Sequence, residues 1–381
     1  MTILSKKQMS EEDIKLQYIT PAILKEWDKS RITMETKITD GQIKLSGNFV
    51  HRDKKSAKFA DYVLYWNSST PLAIVEAKDN NHSVSYGLQQ AITYAEMMDV
   101  PFAYSSNGDA FYEHDLLTGT EREIPLDSFP TPDELIDRYT KQANDGMGLS
   151  TNEITAINQP YYSSQNTYEP RYYQRVAVNR TVDAVARGKD RLLLVMATGT
   201  GKTYTAFQIV YRLLKSGMKR KILYLADRNI LVDQSIQQDF APLEKVIHKI
   251  NVSKDDKTTI TSHQVYFSLY QQLVGDDDKE HYSELFDKDF FDLIIVDECH
   301  RGSAKEDSRW MSCPNPKSWT RTSPIPLLMK YIIPLFAAVL TSWQCCGRFR
   351  VASLRILVLT LQAMFTENLV NASAGQKKMY V

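Results

Sequence analysis

The segment from residue 196 to residue 203 has residue types suited to holding phosphate groups. It follows an apolar run that predicts a buried strand, and it precedes a segment with helical periodicity. Glycines turn backbone N–H groups toward an anion, a helix N-terminus attracts negative charge, lysine reaches the β and γ phosphates, and a threonine hydroxyl binds Mg²⁺. The sequence therefore predicts an ATP site with Mg²⁺ at Thr198, Gly199, Thr200, Gly201, Lys202 and Thr203.

Met196 stands where the strict phosphate-loop pattern has glycine, which is typical of the helicase variant of this loop. The alternative is a glycine turn between strand and helix without a ligand. A lysine and a threonine directly after the second glycine favour the phosphate-binding interpretation.

Two adjacent acidic residues end the apolar run at 291–298. Asp297 is predicted to complete the magnesium coordination, and Glu298 to orient or deprotonate the attacking water. The carboxyl end of a parallel strand is where ligands bind in α/β sheets. A solvated strand end is one alternative. A zinc site at Cys299 and His300 is another, but it lacks a second pair of ligands.

Three further motifs are weaker signals of nucleotide or nucleic-acid binding. Gln174, in the sequence 171–174, is predicted to bond the adenine edge, with an ordinary helix start as the alternative. Residues 226–228, which include Asp227 and Arg228, end a predicted strand, and residues 261–264 follow a polar loop. Both segments are candidate contacts to a nucleic-acid backbone, and neither decides the function alone.

A second group of chemical residues lies near the N-terminus. Asp61 stands in one apolar run (60–66), and Glu76 and Lys78 stand in the next (72–78), with turn-forming residues between the two runs. If Asp61 pairs with Glu76, Trp66 pairs with residue 71 and a four-residue loop remains. This register brings two carboxylates to about 5 Å at Cβ, where they repel unless a divalent cation such as Mg²⁺ lies between them.

Lys78 shares one strand face with Glu76 and is predicted to activate or position a water that attacks a phosphodiester. Gln90 and Tyr94 are four residues apart in a predicted helix (88–98), so they share a face and are predicted to orient the metal ligands or the phosphate. A surface hairpin with scattered charges is the alternative.

Charge, cysteine content and hydropathy limit the classes of protein. Lys+Arg and Asp+Glu both number 46, so the overall charge does not indicate a nucleic-acid partner and any basic surface must be local. The four cysteines form no CxxC pair, which argues against a zinc ribbon or a disulfide framework. The longest apolar stretch, 331–343, is shorter than a bilayer requires, and we expect a cytoplasmic protein.

The chain divides by pattern into four parts. Residues 1–118 alternate short strands and helices, and 119–168 are predicted to form a connector with one short helix at 133–142. Residues 169–310 have an α/β pattern, because the apolar runs 191–197, 221–227 and 291–298 suit parallel strands buried on both faces. Residues 311–381 hold 8 basic residues and 1 acidic residue, and we expect an irregular C-terminal segment there.

The set of motifs resembles the restriction (R) subunit of type I restriction–modification enzymes over residues 10 to 310. The motifs that carry the resemblance include those at 61, 76–78, 90–94, 171–174, 196–203, 226–228 and 297–300, and the stretch 291–310 is very similar to the family pattern. The resemblance implies a PD-(D/E)xK nuclease domain with a QxxxY extension, followed by a RecA-like domain of a superfamily 2 helicase. It also implies ATP and Mg²⁺, ATP-driven movement of double-stranded DNA, and methylation (M) and specificity (S) subunits as partners.

The resemblance ends near residue 310, where the family continues to a Thr-Ala-Thr motif and a second RecA-like domain. We expect that residues 311–381 are a frameshifted or truncated continuation, with a divergent native segment as the alternative. Two other functions stay open. One is a nucleic-acid helicase whose N-terminal domain only binds, and the other is a non-catalytic protein that docks on the partner subunits.

Overall fold

The computed structural model describes residues 5–46, 49–142, 146–164, 168–197, 199–226, 229–256, 260–269, 272–273, 285–287, 289–297 and 355–360. The chain forms two compact units, which meet in sequence between Arg187 and Gly188. Each unit is built around its own six-stranded sheet, so the predicted α/β class is confirmed.

The first unit has a mixed sheet in the order β1-β4-β5-β6-β7-β8. The β5 and β6 strands pair in parallel, and the other neighbours are antiparallel. A separate hairpin is formed by β2 and β3. The bounds are β1 Ile32–Thr39, β2 Gln42–Ser46, β3 Phe49–Asp53, β4 Lys58–Asn67, β5 Thr70–Ala77, β6 Phe102–Ser106, β7 Ala110–Asp115 and β8 Thr120–Pro125.

Helices cover both faces of this sheet. The helix α3 packs on one face with Val63 and Ile74, and the N-terminal helices pack on the other with Tyr62 and Val75, as strand alternation requires. The helices are α1 Glu11–Ile14, a π-helical stretch Lys15–Ile19, α2 Thr20–Glu26, α3 Leu88–Met98, α4 Pro132–Gln142, α5 Thr151–Asn158 and α6 Tyr172–Ala186. Short 3₁₀ turns lie at Lys6–Gln8, Lys29–Arg31, Lys54–Ser56 and Leu126–Ser128.

Residues 119–168 hold more structure than the predicted connector with one helix. The predicted helix is present as α4, but β8 and α5 are also formed, and β8 completes the first sheet. Arg138 on α4 bonds the buried Glu113 and Asp115 of β7, which ties the helix to the sheet. The sequence did not predict these elements because runs of Pro, Asn, Ser and Thr are typical of turns and loops. They form because tertiary contacts outweigh that local propensity. The domain limits at 118 and 168 stay predictions.

The second unit has a sheet in the order β11-β12-β10-β13-β14-β9, in which all neighbouring strands pair in parallel. All residues of β10 and β13 are buried, which confirms the prediction from their apolar runs. The bounds are β9 Arg191–Val195, β10 Ile222–Ala226, β11 Ile247–Lys249, β12 Val265–Leu269, β13 Leu293–Asp297 and β14 Arg355–Thr360, with α7 Lys202–Lys215, α8 Asn229–Gln237 and 3₁₀ turns Ala241–Val246 and Ile260–Ser262.

The prediction of an irregular segment at 311–381 was wrong for Arg355–Thr360. These residues form β14, which lies between β13 and β9 and pairs with both. The physical reason is that a short apolar segment in this position supplies partners for the backbone N–H and C=O groups of both neighbours. The rest of 311–381 lies outside the described residues. No helix in the described part of the chain is long and apolar enough to cross a membrane.

Candidate functional site

The hairpin of β4 and β5 brings Asp61 and Glu76 together. Its register runs through the pair Tyr62–Val75, so the next pair outward is Asp61 beside Glu76, as the sequence predicts. The predicted pairing of Trp66 with Pro71 was wrong. Tyr65 pairs with Pro71 because the register shifts there, and the turn contains two residues, Ser68 and Ser69. This irregularity lies at the turn end of the hairpin and leaves the acidic pair aligned.

Each carboxylate of this pair accepts a backbone hydrogen bond from the opposite strand. The Ala77 amide donates to Oδ2 of Asp61 at 2.8 Å, and the Asp61 amide donates to Oε1 of Glu76 at 3.4 Å. Glu76 is 1% exposed and Asp61 is 8% exposed. The sheet therefore holds two buried carboxylates in fixed orientations.

The protonation of Glu76 reflects this environment. Burial is the larger cause, and the neighbouring Asp61 carboxylate adds to it, so the pKa of Glu76 rises to about 8. The Lys78 ammonium acts in the opposite direction and lowers this pKa. A cation close to such a carboxyl group would stabilise its ionised form and lower its pKa.

Helix α3 supplies the remaining predicted residues. Gln90 Nε2 donates to Oε2 of Glu76 at 2.7 Å and lies 3.3 Å from the Tyr94 hydroxyl. Burial and the nearby Glu76 carboxylate raise the pKa of Tyr94. Lys78 lies just past the end of β5, with its Nζ 3.6 Å from Oε2 of Glu11. The structure thus brings all five predicted residues into one cluster, which we call the Asp61–Glu76 site: Asp61, Glu76, Lys78, Gln90 and Tyr94.

Two residues of the N-terminal helix join this site although the sequence did not indicate them. Lys15 Nζ lies 2.6 Å from Oδ1 of Asp61, and Glu11 contacts Lys78. Burial opposes the charge on Lys15, but hydrogen bonds to Asp61, Glu12 and Glu35 raise its pKa above the ordinary value. In sequence, Glu11 and Lys15 have the i,i+4 spacing of an ordinary surface ion pair, so only the fold distinguishes them.

Gly87 was also missed. It directly precedes α3, and a Cβ atom there would lie 2.9 Å from Ser105 Oγ, 3.3 Å from Lys78 Cγ and 3.4 Å from Glu76 Cβ. Its backbone φ is −82°, so the constraint is space rather than conformation. Glycine at this position lets the start of α3 approach the strand that carries Glu76 and Lys78.

The donor set at the Asp61–Glu76 site fits a magnesium ion. Two buried carboxylates offer oxygen ligands, which hard divalent cations prefer. Among the described residues, no three His, Cys, Asp or Glu side chains are grouped as ligands of one ion. Mg²⁺ is commonly bound by one or two carboxylates, with water and substrate phosphate as the other ligands, so two carboxylates are sufficient.

The second unit contains the predicted phosphate-binding loop between β9 and α7. Gly199 and Gly201 have φ angles of +73° and +79°, in the left-handed region that glycine enters at no steric cost. Gly201 is the N-cap of α7, which begins at Lys202 and includes Thr203. The Thr200 amide and hydroxyl both donate to the Ala197 carbonyl, at 3.3 and 2.5 Å. A phosphate group fits this arrangement, because the loop ends at the N-terminus of a 14-residue helix. Thr198 lies outside the described residues.

Asp297 ends β13 and is buried. Its Oδ2 accepts a hydrogen bond from the Tyr224 hydroxyl of β10 at 2.9 Å, a contact that the sequence did not predict. A carboxylate oxygen such as that of Asp297 and a hydroxyl oxygen such as that of Thr203 are ligand types that Mg²⁺ accepts. Glu298, Cys299 and His300 lie outside the described residues, as do Asp227 and Arg228.

Gln174 lies in α6 of the first unit, and the phosphate-binding loop lies in the second. Its Oε1 accepts from the Arg171 amide at 2.8 Å, which caps the start of the helix. Thr261 and His263 lie before β12, and their carbonyls accept from Lys221 Nζ. Adenine recognition by Gln174 and backbone contacts from the 261–264 segment stay predictions.

Two family models match the chain. The model described as "Type I restriction enzyme R protein N terminus (HSDR_N)" matches residues 22–130, which include the Asp61–Glu76 site. The model described as "Type III restriction enzyme, res subunit" matches residues 167–331, which include the phosphate-binding loop and Asp297. The two groups of residues therefore fall in two separately recognised regions.

Two type I restriction enzyme subunits are similar in sequence to this chain. The type I restriction enzyme EcoAI endonuclease subunit of Escherichia coli is 42% identical over 316 residues, which are 81% of this chain and 38% of that protein. The EcoKI endonuclease subunit of Escherichia coli K12 is 28% identical over 64% of this chain and 24% of its own length. The chain thus spans less than two fifths of either relative.

A solved structure agrees with these matches. A fragment assigned to the HsdR subunit of a type I restriction enzyme from Vibrio vulnificus YJ016 superposes with a TM-score of 0.66 and 31% identity. The superposition covers 94% of this chain and 56% of the fragment. The chain therefore belongs to the type I restriction enzyme R subunits and carries the N-terminal region of that family, an HSDR_N domain followed by a helicase-like ResIII domain.

Proposed function

We propose that the first unit is a PD-(D/E)xK nuclease domain that cuts DNA phosphodiesters at the Asp61–Glu76 site. The observation that supports this most is the burial of two carboxylates on paired strands, with Lys78 beside them and Gln90 bonded to Glu76. A surface hairpin with scattered charges would leave these side chains in water. Placing them inside the fold costs stability, which is a mark of functional sites.

In this proposal Asp61 and Glu76 would hold a Mg²⁺ ion. The bound ion would polarise a phosphoryl oxygen of the DNA. The Ala77 amide keeps one Asp61 oxygen in place, and Gln90 does the same for one Glu76 oxygen. Lys78 positions or activates the water that attacks the phosphodiester. Tyr94, packed beside Gln90, holds the Gln90 amide toward the acid.

For the second unit we propose a RecA-like ATP-binding domain. The two left-handed glycines and the α7 N-terminus bind the phosphates, with Lys202 at the β and γ positions. Thr203 and Asp297 bind the magnesium ion of ATP, and Glu298 orients the attacking water. Gln174 and Thr198 complete the nucleotide contacts.

The assembly that we propose is a type I restriction complex acting in the cytoplasm. In it the chain works with M and S subunits on double-stranded DNA and contributes the nuclease and ATP-binding units, while ATP-driven DNA movement and full activity also need the second RecA-like domain with which the family continues. A helicase whose N-terminal domain only binds, and a non-catalytic docking protein, make different predictions for the same variants.

The experiment compares the wild-type chain, Glu76→Gln and Lys202→Ala, each combined with M and S subunits, Mg²⁺, ATP and plasmid DNA. Plasmid linearisation and the binding of a fluorescent ATP analogue are measured. We expect Glu76→Gln to abolish cutting and keep ATP binding, and Lys202→Ala to lose ATP binding. No cutting by the wild-type chain, with its other activities unchanged in Glu76→Gln, would favour the helicase alternative. Nucleotide binding without turnover, together with retained partner binding, would favour the docking alternative.

A further inference from the structure

Lys15 is a buried cation in direct contact with one of the two carboxylates of the Asp61–Glu76 site. Its side chain is 3% exposed, and its Nζ lies 2.6 Å from Asp61, 2.8 Å from Glu12 and 3.0 Å from Glu35. The three N–H donors of the ammonium thus meet three carboxylates. Lys15 is also the first residue of the π-helical stretch Lys15–Ile19, and π-helical insertions are frequent at functional sites.

The contact divides the two oxygens of Asp61 between two donors. Oδ1 receives the Lys15 ammonium, and Oδ2 receives the Ala77 amide. The backbone donor belongs to the central sheet, so it orients the carboxylate whichever side chain occupies position 15. Lys15 therefore contributes mainly charge to Asp61, and the strand pairing contributes geometry.

The charges around the site are unequal. Five carboxylates belong to the cluster: Glu11, Glu12, Glu35, Asp61 and Glu76. Two ammonium groups, Lys15 and Lys78, are within 4 Å of members of this set. The excess of negative charge favours cations, but a cation that shares Asp61 with Lys15 is repelled by it at short range, where water screens little.

We propose that Lys15 acts through Asp61 and lowers the affinity of the Asp61–Glu76 site for divalent cations by sharing the Asp61 carboxylate with the metal. This inference rests on the nuclease function proposed above. It has a functional consequence: the site binds its metal firmly only when a further anion, such as a DNA phosphate, enters beside it. Lys15 in this way couples metal binding to the presence of substrate.

The test measures Mn²⁺ binding to the full chain, without nucleotide, by the electron paramagnetic resonance signal of free Mn²⁺. Lys15→Met removes the charge at similar length, and Lys15→Arg keeps it. We expect Lys15→Met to bind Mn²⁺ roughly tenfold more tightly than the wild type, and Lys15→Arg to stay within about twofold. Lys6→Met is the matched control. Lys6 lies in the same N-terminal segment as Lys15, but its ammonium pairs with Asp109 instead of Asp61.

Thermal unfolding supplies a second readout, since the Mn²⁺-induced rise in Tm should be larger in Lys15→Met than in the wild type. Lys15→Gln replaces Lys15→Met if the methionine variant does not fold. An unchanged or weakened Mn²⁺ affinity in the neutral variants overturns the inference and leaves Lys15 a structural ion pair. If wild-type Mn²⁺ binding is insensitive to Glu76→Gln, the proposed nuclease site itself fails, so the two failures are distinguishable.

Discussion

Gln90 of helix α3 donates a hydrogen bond to Glu76 of strand β5, with 2.7 Å between Nε2 and Oε2. Glu76 is almost completely buried, and this amide is its contact from the helix side. The bond fixes the rotamer of the acid and favours its ionised form, because a donor to a carboxylate stabilises the negative charge.

Replacing Gln90 with alanine should therefore reduce metal-dependent DNA cleavage by about 10- to 100-fold, the range found when partners of metal ligands are removed. The cleavage rate at saturating and at limiting Mg²⁺ measures this effect. Gln89→Ala, the adjacent exposed position on α3, is the control and should cut DNA at the wild-type rate. Equal rates for the two variants would show that the bond to Glu76 has no catalytic role.

The raised pKa of Glu76 predicts how stability depends on pH. In the unfolded chain this group titrates near its ordinary value of 4.5, and in the folded chain near 8. Its contribution to stability is complete below pH 4.5 and is lost as the pH rises through 8, because the folded state binds the proton more tightly.

Glu76→Gln should consequently match the wild type in free energy of unfolding near pH 4.5 and exceed it above pH 8, by on the order of 5 kcal/mol. Chemical denaturation from pH 4.5 to 9 in the presence of a chelator measures the difference. A difference that stays constant over this range would contradict the assigned pKa.

Tyr224 should influence ATP binding although it lies inside the second sheet. Its hydroxyl donates to Asp297, and its ring stacks on Phe267 at 4.8 Å between centroids. Tyr224→Phe keeps the stacking and removes the hydrogen bond, so we expect roughly tenfold weaker binding of Mg-ATP with little loss of stability. Equilibrium binding of a fluorescent ATP analogue measures the change.

Tyr266→Phe is the control for Tyr224→Phe. Tyr266 is another buried tyrosine of this sheet, and its hydroxyl donates to the carbonyls of Ile260 and His263 instead of to Asp297. This variant should lose some stability and keep the wild-type ATP affinity. Equal loss of ATP affinity in both variants would point to a general effect on the sheet.

Arg138 should be a main source of stability in the first unit. It bonds the buried Glu113 and Asp115, and its guanidinium lies over the Phe102 ring at 4.5 Å. Arg138→Met would leave buried carboxylates without this partner and lower the free energy of unfolding by about 3 kcal/mol. This lies at the low end for a broken buried pair, because Arg122 still contacts Glu113.

Lys141→Met on the same helix provides the comparison for Arg138→Met. Lys141 pairs with Asp137 at 2.6 Å, but both side chains are mostly exposed. Exposed pairs contribute about 0–1 kcal/mol, so this variant should unfold at nearly the wild-type denaturant concentration. Similar stability of the two variants would mean that α4 is not anchored to the sheet through Arg138.

The sequence by itself determined which residues form the two candidate sites. Glycines before a lysine, between an apolar run and a helical pattern, have few other uses, and the structure gives both glycines the left-handed conformation that the chemistry needs. Likewise the alternation of the β4–β5 hairpin sets which side chains share a face. The pairing of Asp61 with Glu76 and the approach of Gln90 therefore followed from local periodicity.

Only the tertiary structure decided which other residues complete these sites. From the N-terminal helix, Lys15 contacts Asp61 and Glu11 contacts Lys78. Tyr224 contacts Asp297 from a neighbouring strand. Strand β14 inserts between two strands that precede it in the chain. Such contacts join segments far apart in sequence, and local propensity and periodicity carry no information about them, because they depend on which faces the complete fold packs together.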